Sequence, residues 1–166
     1  DGVGSLYNWI RGGNFEKTVN NINRYYEYAK RKIVIVSTVS IYNWMHLPEL
    51  IDYWKDIEGV ARISMANIVT FPMYCSPLYL PVHQIEEGKK KFFDYLEEYK
   101  YVNEHDVYWS DKLVVSGIGN MRSIEPTTDP KVREMRERML RWIDFCLIAR
   151  MNDEDIFELA PHLKEI

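Results

Sequence analysis

The sequence contains little cysteine, no excess of positive charge and no long apolar run. Only Cys75 and Cys146 occur, without a Cys or His at ligand spacing, so they predict neither a zinc nor an iron–sulfur site. Lys and Arg number 21 against 25 Asp and Glu, and the net charge of −4 provides no positive field for nucleic acid. Apolar runs such as 33–36 fall far short of the roughly 20 residues that cross a bilayer. We therefore expect a cytoplasmic protein with reduced cysteines that binds neither nucleic acid nor membrane.

Motifs of the common enzyme classes are also missing. No Ser-His-Asp, Cys-His or P-loop arrangement occurs, and Gly117-Ile118-Gly119 lacks the third glycine of a dinucleotide-binding loop. The histidines are far apart in the sequence and lack partners at metal-ligand intervals, which predicts isolated surface or loop residues: His46, His83, His105 and His162. No catalytic residue is predicted in this chain.

What is present is the pattern of one folded domain, with 46% hydrophobic and 14% aromatic residues. Asn14 is placed to cap an amphipathic helix that begins at Phe15. The β-branched run Ile33–Val39 does not alternate with polar residues, which is typical of a strand covered on both faces. The pattern then predicts a helix at Pro48–Asp56, a strand at Ala61–Phe71 that includes polar Ser64 and Asn67, and a helix at Val82–Tyr99.

Alternating helices and strands of this kind predict an α/β fold with parallel strands and crossover helices. The two predicted strands should be parallel neighbours, joined in a right-handed crossover through the helix that begins at Pro48. After this unit at 1–100, we expect an irregular connecting region at 101–128 with one strand at Lys112–Ser116. A C-terminal helix and tail at 129–166 should follow, opened by Asp129-Pro130.

Four stretches of the chain resemble a known family in their order and spacing. They are Asp1-Gly2 followed by Tyr7–Gly13, Thr38–Asn43 with Leu47–Leu50, Thr70–Tyr74 with Leu80-Pro81, and Phe157–Leu163. They are similar to segments of radical S-adenosylmethionine (radical SAM) proteins of the SPASM group, specifically those whose shortened C-terminal region is called a twitch domain. The resemblance implies the C-terminal part of a partial (β/α)6 barrel, from the end of strand 4 through helix 6, followed by a C-terminal helix.

The family's Cys-x3-Cys-x2-Cys loop and glycine-rich methionine-binding strand are absent from this chain. The resemblance therefore implies a fragment that is inactive alone, and an initial residue other than Met agrees with a longer parent. That parent would be a radical oxidoreductase or maturase that uses S-adenosylmethionine and a 4Fe-4S cluster on a small-molecule or peptide substrate. The missing N-terminal half of the same protein would be the partner, and no cofactor is expected on this chain alone.

The resemblance also nominates site residues at the ends of the predicted strands. The cofactor-binding candidates are Asp1, Gly2, Arg11, Thr38, Ser40 and Asn43, and the substrate-pocket candidates are Phe71 and Pro72. Thr38 and Ser40 are two apart and so are expected on one face of a strand. Each polar candidate also has a plainer reading: hydroxyls bonded to nearby backbone, an Asn43 that closes a turn, and a solvated Arg11.

Two further expectations remain open. A non-catalytic α/β module that binds a ligand or a protein is the alternative to an enzyme fragment. If the fourth barrel strand is missing, Ile33–Val39 is unpaired on one side, and its apolar residues should then promote self-association of the isolated chain.

Overall fold

The computed structural model describes residues 2–98, 102–104, 107–110, 112–150 and 155–166. Short 3-10 turns lie at Trp44–His46, Met73–Cys75, Pro77–Tyr79 and Pro161–Glu165. The helices are α1 (Gly4–Arg11), α2 (Phe15–Ala29), α3 (Leu47–Lys55), α4 (Val82–Glu98), α5 (Gly119–Arg122), α6 (Val132–Arg150) and α7 (Ile156–Leu159). The strands are β1 (Ile33–Val39), β2 (Val60–Ile68), β3 (Val102–Glu104), β4 (Val107–Trp109) and β5 (Val114–Ser116).

The strands form one mixed sheet in the order β1-β2-β5-β4-β3. β2 pairs in parallel with both β1 and β5, whereas β4 pairs antiparallel with β5 and β3. The α/β class and the parallel pairing of β1 with β2 across α3 are confirmed. A two-residue hairpin can join only antiparallel strands, and the short connection from β3 to β4 agrees with their antiparallel pairing.

The helices between the strands follow their apolar patterns. The Asn14 side chain accepts a hydrogen bond from the Lys17 amide at 2.8 Å, which confirms the predicted cap of α2. Helix α3 buries Leu50, Ile51 and Trp54 in the core beneath the sheet. The Phe15 ring packs on the Trp54 ring with a centroid separation of 5.7 Å, so α2 and α3 cover the same side of β1 and β2.

Helix α1 was not predicted from the sequence, where glycines at both of its ends weaken the local helix signal. Gly4 has a left-handed φ of 57°, and the helix ends at Gly12, whose φ is 62°. Between these glycines, Leu6 and Trp9 are buried. The gain from burying these two large side chains outweighs a weak local helix signal.

The prediction that β1 is covered on both faces is wrong. Ser37 and Val39 are fully buried, but Val34 and Val36 remain 50% and 53% exposed. The exposed side chains alternate with the buried ones, so the helices cover one face of the strand and leave the other open. β1 is also the terminal strand of the sheet, as expected for a strand that lacks a neighbour on one side.

The region 101–128 is not the irregular connection that the sequence indicated. Its described residues contribute three strands of three residues each to the sheet, β3, β4 and β5. Strands this short give almost no periodic signal in a sequence. β3 and β4 pair with strands that are next to them in the chain, and β5 also pairs with the distant strand β2. The predicted strand at Lys112–Ser116 is present but begins at Val114.

The C-terminal part packs back onto this sheet unit. The Asp129 side chain accepts a bond from the Lys131 amide at 2.8 Å, just before α6 begins at Val132. Met139, Ile143 and Cys146 of α6 join the same buried core as the sheet, together with Ile156, Ala160 and Leu163. Within the described residues, none of the helices combines the length and the apolar character needed to cross a membrane.

Candidate functional site

The turn that follows β1 is closed by the side chain of Asn43. Its Oδ1 accepts hydrogen bonds from the Ser40 amide at 2.8 Å and the Ser40 hydroxyl at 3.3 Å. Its Nδ2 donates to the Thr38 carbonyl oxygen at 3.0 Å. Asn43 is only 1% exposed, so these bonds satisfy an amide that would otherwise be costly to bury. The turn-closing reading of Asn43 therefore describes its contacts, and a role toward a cofactor stays a prediction.

Thr38 and Ser40 do not form the pair of hydroxyls on one strand face that their spacing predicted. β1 ends at Val39, so Ser40 lies in the turn, where it is buried and its hydroxyl donates to Asn43. Thr38 remains in the strand, two residues from exposed Val36, and is partly exposed. Alternation along a strand holds only while the backbone stays extended.

Two segments that are distant in the sequence form hydrogen bonds with the same turn. The Ile41 amide donates to the Cys75 carbonyl oxygen at 3.0 Å, and His162 Nε2 donates to the Ile41 carbonyl oxygen at 2.7 Å. The Tyr42 hydroxyl lies 3.6 Å from Cys75 Sγ. Burial raises the pKa of the Tyr42 hydroxyl and of the Cys75 thiol, so both stay protonated at neutral pH. These contacts make the turn rigid but provide no activated nucleophile.

Two of the histidines expected on the surface form a partly buried pair. The rings of His46 and His162 have centroids 6.0 Å apart, and burial is the main cause that lowers the pKa of each imidazole. His46 Nε2 and His162 Nδ1 are buried, and no described residue bonds to either nitrogen. Both residues lie in short 3-10 turns, but the prediction that they are isolated is wrong, because the C-terminal segment folds back beside the turn after β1. His105 lies outside the described residues.

Gly2 and Arg11 lie in a different place from the turn. They line a groove of about 430 Å³ along the edge of β1, together with Tyr7, Gly13, Thr18, Val34, Ile35, Val36, Leu50 and Trp54. Thr38, Ser40 and Asn43 are not in this lining. Asp1 lies outside the described residues. The structure thus divides the described cofactor candidates into a groove group, Gly2 and Arg11, and a group at the end of β1 and in the turn that follows it, Thr38, Ser40 and Asn43.

The substrate-pocket candidates follow the end of β2. The strand stops at Ile68, three residues earlier than the sequence predicted, and the Val69 amide still donates to the Val39 carbonyl oxygen at 2.8 Å. Phe71 is joined to Pro72 by a cis peptide bond and is 87% exposed. An exposed aromatic ring beyond the carboxyl end of a parallel strand is available to a ligand.

Sequence reasoning missed a group of polar side chains on the open face of β2. Arg62 and Asn67 are exposed and Ser64 is partly exposed, and they pair across the sheet with Val34, Thr38 and Val36, respectively. Ser64 and Asn67 had been noticed only as polar interruptions of an apolar strand. Their positions become informative once one face of the strand is known to be open, since side chains on that face need not be apolar.

A resident metal centre does not fit these residues. Among the described residues, no three His, Cys, Asp or Glu side chains are grouped closely enough to hold a metal ion. Cys75 and Cys146 are both buried free thiols, and two thiols are fewer than the ligand set of a 4Fe-4S cluster. Comparison of the chain with protein-family models, with curated proteins and with solved structures finds no match.

Proposed function

We propose that this chain is the C-terminal portion of a radical SAM enzyme of the SPASM/twitch group. In that enzyme, β1 and β2 are the fifth and sixth strands of a partial barrel, and their open face lines the cavity for cofactor and substrate. Catalysis depends on a 4Fe-4S cluster held by residues outside this sequence. The enzyme would be an oxidoreductase or maturase that acts on a small molecule or a peptide.

The single observation that carries this proposal is that β1 is an apolar strand at the edge of the sheet and is partly exposed. A β-branched apolar strand at the edge of a sheet is an aggregation hazard, and edges are usually protected by charge, proline or a covering element. Here Val34 and Val36 are half exposed and a groove runs along the strand. A further parallel strand would pair with this edge, and barrel closure would enclose the open face.

The positions of the motif residues give additional support. Ligands of parallel sheets bind beyond the carboxyl ends of the strands. The Ser40–Asn43 turn follows β1 directly, and Phe71 and Pro72 follow β2, so two of the four stretches that resemble the family reach that end of the sheet.

S-adenosylmethionine fits the open side of the fold better than the cluster does. Arg11 and Gly2 line the groove beside β1, and Arg11 would offer a planar fork for the carboxylate where a further strand leaves this groove open. Thr38 offers a hydroxyl at the strand end, whereas Ser40 and Asn43 bond to each other and would maintain the shape of the turn. When bound to an intact enzyme, the cofactor supplies the radical chemistry, and this chain supplies walls that position it.

The gene provides the direct test. We expect the reading frame upstream of the Asp1 codon to encode a Cys-x3-Cys-x2-Cys segment. The complete product, reconstituted anaerobically with iron and sulfide, should then release 5'-deoxyadenosine from S-adenosylmethionine under a strong reductant. The control is the same product with those three cysteines changed to alanine, which should release none. A start codon directly before Asp1, with no cluster segment upstream, contradicts the proposal.

The alternative is a non-catalytic α/β module that binds a ligand or a protein. It is favoured by the continuous buried core, which extends from Leu6 in α1 to Leu163 near the C-terminus. A chain with such a core can fold as a unit. The start codon would then lie at or near Asp1, and the purified chain would be a monomer that unfolds cooperatively.

A further inference from the structure

The open face of the parallel strands carries an ordered set of side chains. Each cross-strand row places residues of β1, β2 and β5 side by side: Val34, Arg62 and Val114 in the first row, and Val36, Ser64 and Ser116 in the second. Thr38 and Asn67 form a third row at the carboxyl end. Neighbours in a parallel register point to the same face, so these residues share one surface.

Among the eight residues of these rows, Arg62 is the one cation and none is a carboxylate, while Arg11 lies in the groove that Val34 and Val36 also line. Within the described part of the chain, no hydrogen bond or ion pair engages the Arg62 guanidinium, although other cations such as Lys112 and Lys91 are paired with Asp56 and Glu49. The side-chain hydroxyl of Ser64 and the amide of Asn67 also make no bond to a described residue. A planar guanidinium with two neutral polar neighbours is chemically suited to an anion.

The neighbours of Arg62 specify the anion further. Val34 and Val114 flank it in its own row, and Val36 lies in the next, so the cation rises from an apolar strip. Ser64 is two residues farther along the strand, about 7 Å away, within the reach of an extended arginine side chain. A carboxylate attached to an aliphatic group would pair with Arg62 and cover the valines at once, whereas a fully hydrated phosphate would leave the strip exposed.

We propose that the open face of β1, β2 and β5 binds the carboxylate of an aliphatic small molecule through Arg62 and Ser64, with Asn67 farther along the same face. The identification of that molecule as the substrate rests on the proposed function. Binding itself is a property of side chains that this chain contains, and it can be measured on the chain alone at concentrations below those at which the chain self-associates.

The test is an NMR titration of the isotope-labelled chain with acetate, isovalerate and inorganic phosphate, each matched in ionic strength with chloride. We expect saturable shifts of the Arg62 side-chain N–H and the Ser64 and Asn67 amides, with isovalerate about threefold to tenfold tighter than acetate because its added carbons cover the valines. The proposal is overturned if chloride at the same ionic strength causes the same chemical-shift changes, or if neither acetate nor isovalerate causes any. Tighter binding of phosphate than of isovalerate overturns the assignment to a carboxylate.

Variants separate the site from general charge effects. R62Q should weaken isovalerate binding at least tenfold, and R62K, which keeps the charge but loses the fork, should weaken it severalfold. R24Q is the matched control, because Arg24 lies on α2 beside Tyr25 and Tyr28 and should leave binding unchanged. Equal loss in R24Q and R62Q refutes the site. If the chain binds carboxylates but the gene encodes no upstream cluster segment, this inference holds and the proposed function fails. If the complete enzyme is active but this chain binds no carboxylate, the proposed function holds and this inference fails.

Discussion

Replacement of Gly88 by alanine sets helix propensity against packing. Gly88 lies in the middle of α4, where it faces the indole of Trp44. A Cβ atom at this position would stand 2.1 Å from Trp44 Nε1 and 2.6 Å from Trp44 Cδ1 and Cε2. The indole cannot easily move away, because it is 1% exposed and its N–H donates to the Gln84 carbonyl oxygen at 3.0 Å.

The expected change in the free energy of unfolding is the balance of one favourable and two unfavourable contributions. Alanine in a helix interior is favoured over glycine by about 1 kcal/mol. Overpacking of a buried site costs roughly 1–3 kcal/mol and here involves a rigid ring. Displacing the indole also weakens a buried hydrogen bond that contributes on the order of 1 kcal/mol. We therefore expect G88A to lower the free energy of unfolding by about 1–3 kcal/mol, and the Tm by roughly 2–12 °C.

Urea and thermal unfolding, followed by circular dichroism, measure this change. The matched control is G13A, since a Cβ on Gly13 would lie 3.5 Å from Tyr7 Cε1 in ordinary contact, and this glycine has no left-handed φ. G13A should change stability by no more than about 0.5 kcal/mol. In a W44F background, the cost of G88A should shrink or reverse. A single G88A variant more stable than the original chain would refute the packing argument.

Three further changes have defined outcomes. Asn43→Ala removes the partner of the buried Ser40 amide and should cost about 1–3 kcal/mol in urea unfolding, whereas an unchanged midpoint would show that the turn does not depend on this amide. Burial keeps His46 and His162 neutral and lowers their folded-state pKa, so this stabilisation is complete above the ordinary pKa of 6.5 and is lost as pH falls through the lowered values. H162Q should therefore flatten the acid side of a plot of unfolding free energy against pH. The isolated chain should self-associate in light scattering and V36K should reduce this, while a stable monomer would favour the binding-module alternative.

Local signals in the sequence were sufficient for the elements that depend on local contacts. The Asn14 cap of α2 and the β-branched run of β1 lie where the sequence places them, and the pairing of β1 with β2 follows from the intervening helix. The strand end after Ile68 was not predictable, because backbone pairing with the distant strand β1 decides it. The strands of 101–128 were not predictable, because three-residue strands carry almost no periodic signal.

The candidate site was harder to predict than the fold. The types of residue at the ends of β1 and β2 drew attention to the turn, but the bonds of Asn43 to Ser40 and Thr38 depend on turn geometry that spacing does not encode. Arg62 gave no signal, because its importance comes from an uncovered sheet face. A sheet face stays open because no other element packs on it. A sequence pattern indicates which side chains can be buried, but it does not indicate which sheet face stays uncovered.

The hydrogen bond between His162 and Ile41 has a consequence for biosynthesis. The two residues are 121 positions apart, and at typical rates of about 5–20 residues per second the ribosome needs roughly 6–24 s to add His162 after Ile41. During that time the nascent chain can form α2, β1 and α3, but the turn after β1 lacks one of its supports. The segment around His162 therefore completes, late in synthesis, a site whose first strand is made early, and a chain that terminates before His162 would be released with that site unfinished.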